Sequence, residues 1–288
     1  MTPFERTSVL IPAYEEEGSI AQVIEAMRSL GPWKEIIVVD DGSRDETAKR
    51  AETAGAKVVR HPYNKGNGAA VKSALRAANG DYVLLMDADG QHDPSEATKL
   101  TEKLGEYDLV VGSRSFGAQA GMSRALGNAA LNRFATALAE FPVSDLTSGF
   151  RAASRPLMME FVHLFPNGFS YPATSTLAFV KAGYNVCFVP VEGKKRSASS
   201  KSKMRPFREG GRFLMIVLRL VSLFSPLRVF LPFVVLSFSL GFGYMVYTIV
   251  TEVHVTNTSV LLIIGAIVMF LFGMLAEGIA TLRFERKE

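Results

Sequence analysis

Short apolar runs alternate with helical periodicities through the first two thirds of the chain. Residues 9–11, 36–39, 82–86 and 109–111 are apolar stretches of strand length closed by Pro, Asp or Gly, and residues 56–59 make a further short strand pattern. Between them, Ile20, Val23, Ile24 and Met27 recur at helical spacing and predict a helix over 16–30. Further helices are expected over about 45–54, with Ser43 placed to cap it, over 69–78, where small residues allow close packing on a sheet, and from Pro94 onward. Strands alternating with helices predict a mainly parallel sheet covered on both faces. Beyond Val111 the pattern loosens into a helix over 122–139, a polar loop over 145–151, a strand over 186–191 and a basic run over 194–203. That run has no hydrophobic period, as in a solvated loop.

The last third reads differently. Residues 207–224 mix apolar side chains with Arg208, Arg212 and Arg219, the pattern of a helix lying in a membrane interface. Residues 229–250 are almost wholly apolar, and so are 260–282 apart from Glu277. Each run matches the ~20 residues that a bilayer span needs. Residues 251–259 hold no Lys or Arg, whereas Arg219 and Arg228 precede the first run and Arg283, Arg286 and Lys287 follow the second. The positive-inside rule therefore puts both ends in the cytoplasm, with the hairpin tip outside. Glu277 lies near the cytoplasmic end, where snorkelling to water or a polar partner suits it better than an ion pathway.

The strand ends carry the candidate chemistry. The run 82–86 stops at Asp87 and Asp89, two carboxylates one residue apart, with Gly90 free to turn. In an α/β sheet ligands bind at the carboxyl ends of strands. Paired carboxylates there suit a hard divalent cation whose shell substrate phosphates complete, although Asp and Gly also make ordinary solvated turns. Residues 12–17 and 40–43 are further acidic or turn clusters at strand ends, so three clusters should converge on one cleft.

Composition narrows this only a little. Formal net charge is +4, too small to indicate nucleic acid. The single cysteine, Cys187, can form no internal disulfide and reads as a core residue. The run 9–11 is too short for a signal-peptide core, so the first domain is expected to stay on the side where it is made.

Five motifs in order then suggest a family: Pro12-Ala13-Tyr14-Glu15-Glu16, Asp40-Asp41-Gly42-Ser43, Asp87-Ala88-Asp89-Gly90-Gln91-His92, Gly112-Ser113-Arg114 and Ser148-Gly149-Phe150-Arg151. Over about residues 9–203 the chain resembles the inverting family-two glycosyltransferases of the dolichol-phosphate mannose synthase type and their bacterial polyprenyl-phosphate relatives. The resemblance implies an α/β fold of the nucleotide-sugar-binding glycosyltransferase A type with a mainly parallel sheet, followed by an interfacial helix and two transmembrane helices. The domains would be a cytoplasmic glycosyltransferase domain over 1–204, juxtamembrane amphipathic helices over 205–228, and a transmembrane hairpin with a cytoplasmic tail over 229–288.

It also implies roles by position. Pro12, Tyr14, Glu16, Asp40, Asp41, Asp87 and Ala88 would hold the nucleotide. Asp87, Asp89 and Gln91 would bind Mg²⁺ or Mn²⁺ against the donor diphosphate. Arg114, Arg124, Ser148 and Arg151 would meet the acceptor phosphate, with Asp89, Arg114, Arg196 and Lys203 serving catalysis. The family's basic loop usually reads Arg-x-x-Gly-x-Ser-Lys, whereas residues 196–203 have no glycine and run one residue longer. The partners implied are a nucleotide sugar, a polyprenyl (undecaprenyl or dolichyl) phosphate, the inner or plasma membrane, and other copies of the chain as a homo-oligomer, taken as a tetramer. Ser237, Ser239, Gly241 and Gly243 would allow close helix packing.

The chemistry of the residues agrees with that resemblance. A nucleoside diphosphate leaving group gathers negative charge that a cation stabilises. A lipid phosphate is already ionised, so positive charge rather than a strong base is needed, and no Ser-His-Asp or Cys-His arrangement stands out. His92 reads as a turn histidine. Rival readings are a processive polysaccharide synthase, a non-catalytic nucleotide-binding membrane subunit and a nucleotidyltransferase. The first lacks its Gln-x-x-Arg-Trp motif, since Trp33 is the sole tryptophan. The second would be expected to lose Asp87 or Asp89, and the third lacks a Gly-rich loop after the first strand. The sequence names neither the sugar nor the nucleotide.

Overall fold

The computed structural model describes residues 2–114, 129, 132, 133, 135–137, 139–168, 170–192 and 224–282. Arg124, Arg196 and Lys203, the basic run and the interfacial segment 207–223 lie outside the described residues, as does most of the helix expected over 122–139. The chain divides into two compact units, Met1–Glu209 and Gly210–Glu288.

The first unit is a seven-stranded sheet. Its strands are β1 (Thr7–Ala13), β2 (Glu35–Asp40), β3 (Lys57–Arg60), β4 (Tyr82–Leu85), β5 (Leu109–Arg114), β6 (Arg151–Ser154) and β7 (Val186–Val191), in the spatial order β3-β2-β1-β4-β6-β5-β7. The order reverses between β1 and β4. All pairs are parallel except those of β6, which runs antiparallel between β4 and β5. The mainly parallel sheet expected from the apolar runs is therefore present. Val9, Leu10, Ile11, Ile37, Val38, Val39, Leu84 and Leu85 are fully buried, as strands covered on both faces require.

The covering helices are α1 (Ile20–Leu30), α2 (Thr47–Thr53), α3 (Asn67–Ala77), α4 (Ala97–Thr101), α5 (Arg155–Phe161) and α6 (Tyr171–Lys181). Ile20, Val23, Ile24 and Met27 are the buried stripe of α1, as their spacing predicts. That helix starts four residues later than expected, because Glu15 takes a left-handed conformation (φ 54°) and the Glu16 N–H donates to Thr47 Oγ1 at 2.9 Å. Ser43 does not cap α2. Its hydroxyl accepts from the Glu15 N–H, while Asp45 Oδ1 accepts from the Thr47 N–H. The helix expected from Pro94 is a 3₁₀ turn, Pro94–Glu96, followed by the single short α4.

Two elements had no signal in the hydrophobic pattern. Strand β6 reads Arg-Ala-Ala-Ser, with no β-branched or aromatic residue. Helix α6 buries residues all round, including Thr174, Ser175 and Thr176, so it lacks an amphipathic stripe.

A glycine pair locks the first turn of α3. The N–H of Gly68 donates to the Gly168 carbonyl, and that of Ala69 to the Asn167 carbonyl, both at 3.1 Å. A side chain at Gly68 would collide with the Pro166 carbonyl oxygen.

In the second unit, α7 (Leu227–Glu252) and α8 (Asn257–Leu282) form a hairpin of two 26-residue helices. At 1.5 Å per residue each spans about 39 Å, longer than a bilayer core of about 30 Å. Gly241 faces Leu262 and Ile263, and Gly273 faces Leu227 and Phe230, so the backbones approach closely. Ser237 Oγ donates to the Leu262 carbonyl at 2.9 Å. Glu277 takes a polar partner, as its position near a helix end suggests: Oε2 accepts from the Leu227 N–H at 3.0 Å, capping α7. Phe233, Leu236, Leu261, Leu271, Phe272 and Leu275 are exposed. An apolar surface of that extent suits hydrocarbon rather than water.

Replacing Gly68 with Ala should destabilise the first unit by about 3 kcal/mol through backbone overpacking. Thermal denaturation of the full chain measures this, and an unchanged Tm would refute the interlock.

Candidate active site

In a parallel sheet the cleft forms outside the carboxyl ends of the strands, where strand order reverses. Here that point lies between β1 and β4. Register places Ala13 beside Asp40, and Leu10 beside Leu85, so the segments leaving β1, β2 and β4 emerge on one edge. The three clusters recognised along the sequence do converge.

On the β1–β2–β3 side lies a cavity of about 620 Å³, lined among others by Tyr14, Ser43, Arg44, Arg60, His61 and Tyr63. Asp40 and Asp41 shape its wall rather than face it. Asp40 is fully buried, accepts from the Ser43 N–H at 3.0 Å and pairs with Arg60 Nε at 3.1 Å. Asp41 accepts from the backbone N–H groups of Lys65 (2.9 Å) and Gly66 (2.8 Å), and from His61 Nδ1 at 2.6 Å. His61 Nε2 lies 2.8 Å from the Ser73 hydroxyl, so both ring nitrogens have partners. Pro12 is half-buried within β1, and Tyr14 is exposed at its end. Glu16 Oε2 accepts from Ser19 Oγ at 3.1 Å, and the same hydroxyl donates to the Ala88 carbonyl at 2.7 Å. Arg44, Arg60, His61 and Tyr63 had no motif to announce them. For Arg60, His61 and Tyr63 the available signal was their position at the carboxyl end of β3, the same edge as the recognised clusters.

Beside this cavity, β4 delivers Asp87 and Asp89. Gly90 is left-handed (φ 71°), and Asp89 Oδ1 accepts from the Gln91 N–H at 3.1 Å, so the turn is built from its own carboxylate. The Asp87 side chain remains 38% exposed, with His92 Nε2 donating to Oδ2 at 3.3 Å. His92 is buried and stacks on Phe150 at 4.9 Å, so it supports Asp87 and is more than a turn residue. Desolvation works to raise the Asp87 pKa. The His92 hydrogen bond and the charges of His92, Arg114 and Arg151 outweigh it and hold Asp87 below the ordinary carboxylate range.

Two carboxylates and an amide on one turn are hard oxygen donors. Among the described residues no cluster of three or more His, Cys, Asp or Glu side chains forms a closed cage. The donor set therefore fits Mg²⁺ or Mn²⁺ taking its remaining oxygens from substrate phosphates, the common mode for such ions.

Arg114 ends β5 in a two-point pair with Asp145, Nε to Oδ2 at 2.9 Å and Nη2 to Oδ1 at 3.3 Å, and Nη2 also donates to Thr147 Oγ1 at 3.0 Å. Burial works against the Arg114 charge, but Asp145, and then Asp87 and Asp89, raise its pKa overall. Asp145 is likewise held low: desolvation would raise it, and the Arg114 side chain, the Arg114 backbone N–H and the Thr147 hydroxyl prevail.

The acceptor-phosphate roles expected of Ser148 and Arg151 are corrected by the structure. Both side chains are fully buried. Arg151 donates to the carbonyls of Ser148 and Pro172 and to Ser175 Oγ, which leaves its guanidinium directed into the protein. Of the motif Ser148-Gly149-Phe150-Arg151 only Arg151 enters the inner strand β6; residues 148–150 belong to the loop before it, as expected.

The chain is similar to known proteins in sequence and fold. The description of glycosyl transferase family 2 matches residues 8–160, and that of the GtrB C-terminal hairpin matches residues 225–282. The chain is 30% identical over 291 residues to glycosyltransferase AglJ of Haloferax volcanii, covering 96% of this chain and 95% of that one. It is 29% identical over 210 residues to the dolichyl-phosphate hexose transferase of the same organism, covering 72% of this chain and 90% of that one. Among solved structures, glucosyl-3-phosphoglycerate synthase from Mycobacterium tuberculosis in complex with Mn²⁺, uridine diphosphate and phosphoglyceric acid superposes with a TM-score of 0.61. Its identity is 26%, over 75% of this chain and 77% of that one.

The Asp145–Arg114 pair sets a pH dependence. A carboxylate whose folded pKa is depressed stabilises fully above its unfolded value, near 3.8, and loses that contribution as pH falls through the lower folded value. Asp145→Asn should cost about 2 kcal/mol at pH 7 by leaving the half-buried Arg114 guanidinium without its countercharge. Stability curves of the two proteins should converge below about pH 3.8 as Asp145 protonates; a constant gap there would refute the pairing.

Proposed function

The chain belongs to glycosyl transferase family 2, and from that membership we propose that it transfers one sugar from a nucleotide sugar to a polyprenyl phosphate, with inversion at the anomeric carbon. The observation that carries this reading is the convergence of the 620 Å³ cavity and the Asp87–Asp89 turn at the point where strand order reverses.

The cavity takes the nucleoside, with Tyr14, Tyr63 and Arg44 against it and Asp40 and Asp41 holding its wall. Asp87, Asp89 and Gln91 hold Mg²⁺ or Mn²⁺ against the donor diphosphate; when bound, the cation supplies Lewis-acid stabilisation of the leaving group. Arg114, oriented by Asp145 and Thr147 through Nε and Nη2, meets the acceptor phosphate through its remaining Nη1 donors. An acceptor phosphate oxygen attacks the anomeric carbon as the bond from that carbon to the donor diphosphate breaks. The nucleoside diphosphate leaves with the electron pair. No base is needed, because the acceptor is already ionised. The lipid acceptor also accounts for the apolar hairpin. Arg228 in the first turn of α7, and Arg283, Arg286 and Lys287 after α8, support a reading with both hairpin ends and the catalytic domain on the cytoplasmic side.

The test uses detergent-purified full-length protein, polyprenyl phosphate and a panel of UDP- and GDP-sugars, with and without EDTA. One donor should yield an EDTA-sensitive lipid carrying a single sugar by mass spectrometry. A polymeric product would restore the processive-synthase reading. Asp89→Ala should lower turnover at least about 100-fold while the protein stays folded, in line with losses seen when charge-stabilising groups are removed. Near-normal turnover in that variant would overturn the role given to Asp89.

A further inference from the structure

Behind Asp87 lies a group that the proposed mechanism does not use. Gly149 packs directly against the Asp87 carboxylate: a methyl group placed on it would stand 2.9 Å from Oδ2 and 3.1 Å from Oδ1. Its backbone is not left-handed, so conformation does not demand glycine there. Space does.

The turn that brings Gly149 to this position is pinned by Arg151. Nε and Nη2 both donate to the Ser148 carbonyl, and Nη1 donates to the Pro172 carbonyl at 2.9 Å and to Ser175 Oγ at 2.6 Å. The Tyr171 ring lies 5.7 Å from the guanidinium, and its hydroxyl donates to the Gly149 carbonyl at 3.4 Å. No hydrogen bond of this guanidinium among the described residues goes to a carboxylate. A fully buried charge without direct ion pairing is costly to keep for packing alone. Register sets Arg151 opposite Leu85 on one side and Val111 on the other, between β4, which leads into Asp87, and β5, which ends in Arg114.

We propose that Gly149 and Arg151 are positioning residues for Asp87: the buried guanidinium pins the 148–149 turn, and the bare Gly149 backbone sets where the Asp87 carboxylate stands. The inference rests on the reading of Asp87 as a cation-holding carboxylate.

Free Mn²⁺, followed by its electron paramagnetic resonance signal, would be titrated with full-length detergent-solubilised protein and the nucleoside diphosphate that the donor panel selects. Wild type would be compared with Asp87→Asn, Gly149→Ala and Arg151→Lys. Gly149→Ala should weaken Mn²⁺ binding at least about tenfold, as second-shell changes do, with its melting temperature and metal-free nucleotide binding unchanged. Arg151→Lys, which cannot reproduce the planar fork, should weaken it similarly. Should Arg151→Lys fail to fold, Gly149→Ala decides alone. Wild-type Mn²⁺ affinity in Gly149→Ala, with Asp87→Asn defective, would overturn the positioning role. Unchanged affinity in Asp87→Asn would instead remove the cation reading itself, and this inference with it.

Discussion

A charge buried at the carboxyl edge of a sheet must be met by the chain itself, and the active-site region follows from how that is done. Asp41, Asp145 and Arg151 all lie at this edge with almost no exposure. Left unpaired, any of them would cost several kcal/mol. Asp41 is met by two backbone N–H groups and His61, which folds the 64–66 loop over the end of β2. Asp145 is met by Arg114, which fixes that side chain at the end of β5. Arg151 is met by carbonyls and a hydroxyl, which draws the start of α6 and the 148–149 turn together. Each buried charge orders a loop, and the ordered loops form the cleft.

The residues that remain to meet a ligand sit in front of this layer. Tyr14, Arg44 and Tyr63 face the cavity, and Asp87 keeps a partly exposed carboxylate. Satisfied groups behind and available groups in front are what preorganisation requires, since a side chain held by its own partners need not be ordered when substrate arrives. His92 illustrates the division: its ring is buried on Phe150 while Nε2 reaches the Asp87 carboxylate.

The hairpin obeys a different solvent. Its outward side chains are large and apolar, so the hydrophobic effect cannot hold α7 to α8 within hydrocarbon. Close contact at Gly241 and Gly273, with polar links from Ser237 and Glu277, does so instead. Glu277 also satisfies a backbone donor at the start of α7 that water would otherwise have to reach.

Local pattern alone determined the parts whose physics is local. Continuous apolar runs at 9–11, 36–39 and 82–86 are buried strands wherever they pair, the α1 stripe can face only a core, and two apolar runs of span length mark a membrane hairpin. Asp87 and Asp89 were legible because two further acidic or turn clusters fall at strand ends of the same sheet edge, where a carboxylate pair alone could be an ordinary turn. The tertiary structure decided what depends on partners distant in sequence. Arg-Ala-Ala-Ser became a strand because β4 and β5 left a gap between them that its backbone fills. Ser148 and Arg151 turned inward because burial is a property of the assembled edge, which no motif encodes. His61 found Asp41 and Ser73, and His92 found Phe150 and Asp87, only once the turns closed. Sequence spacing fixes which side chains leave a strand end, but whether each meets a ligand or the chain itself is set by the neighbours that folding brings to it.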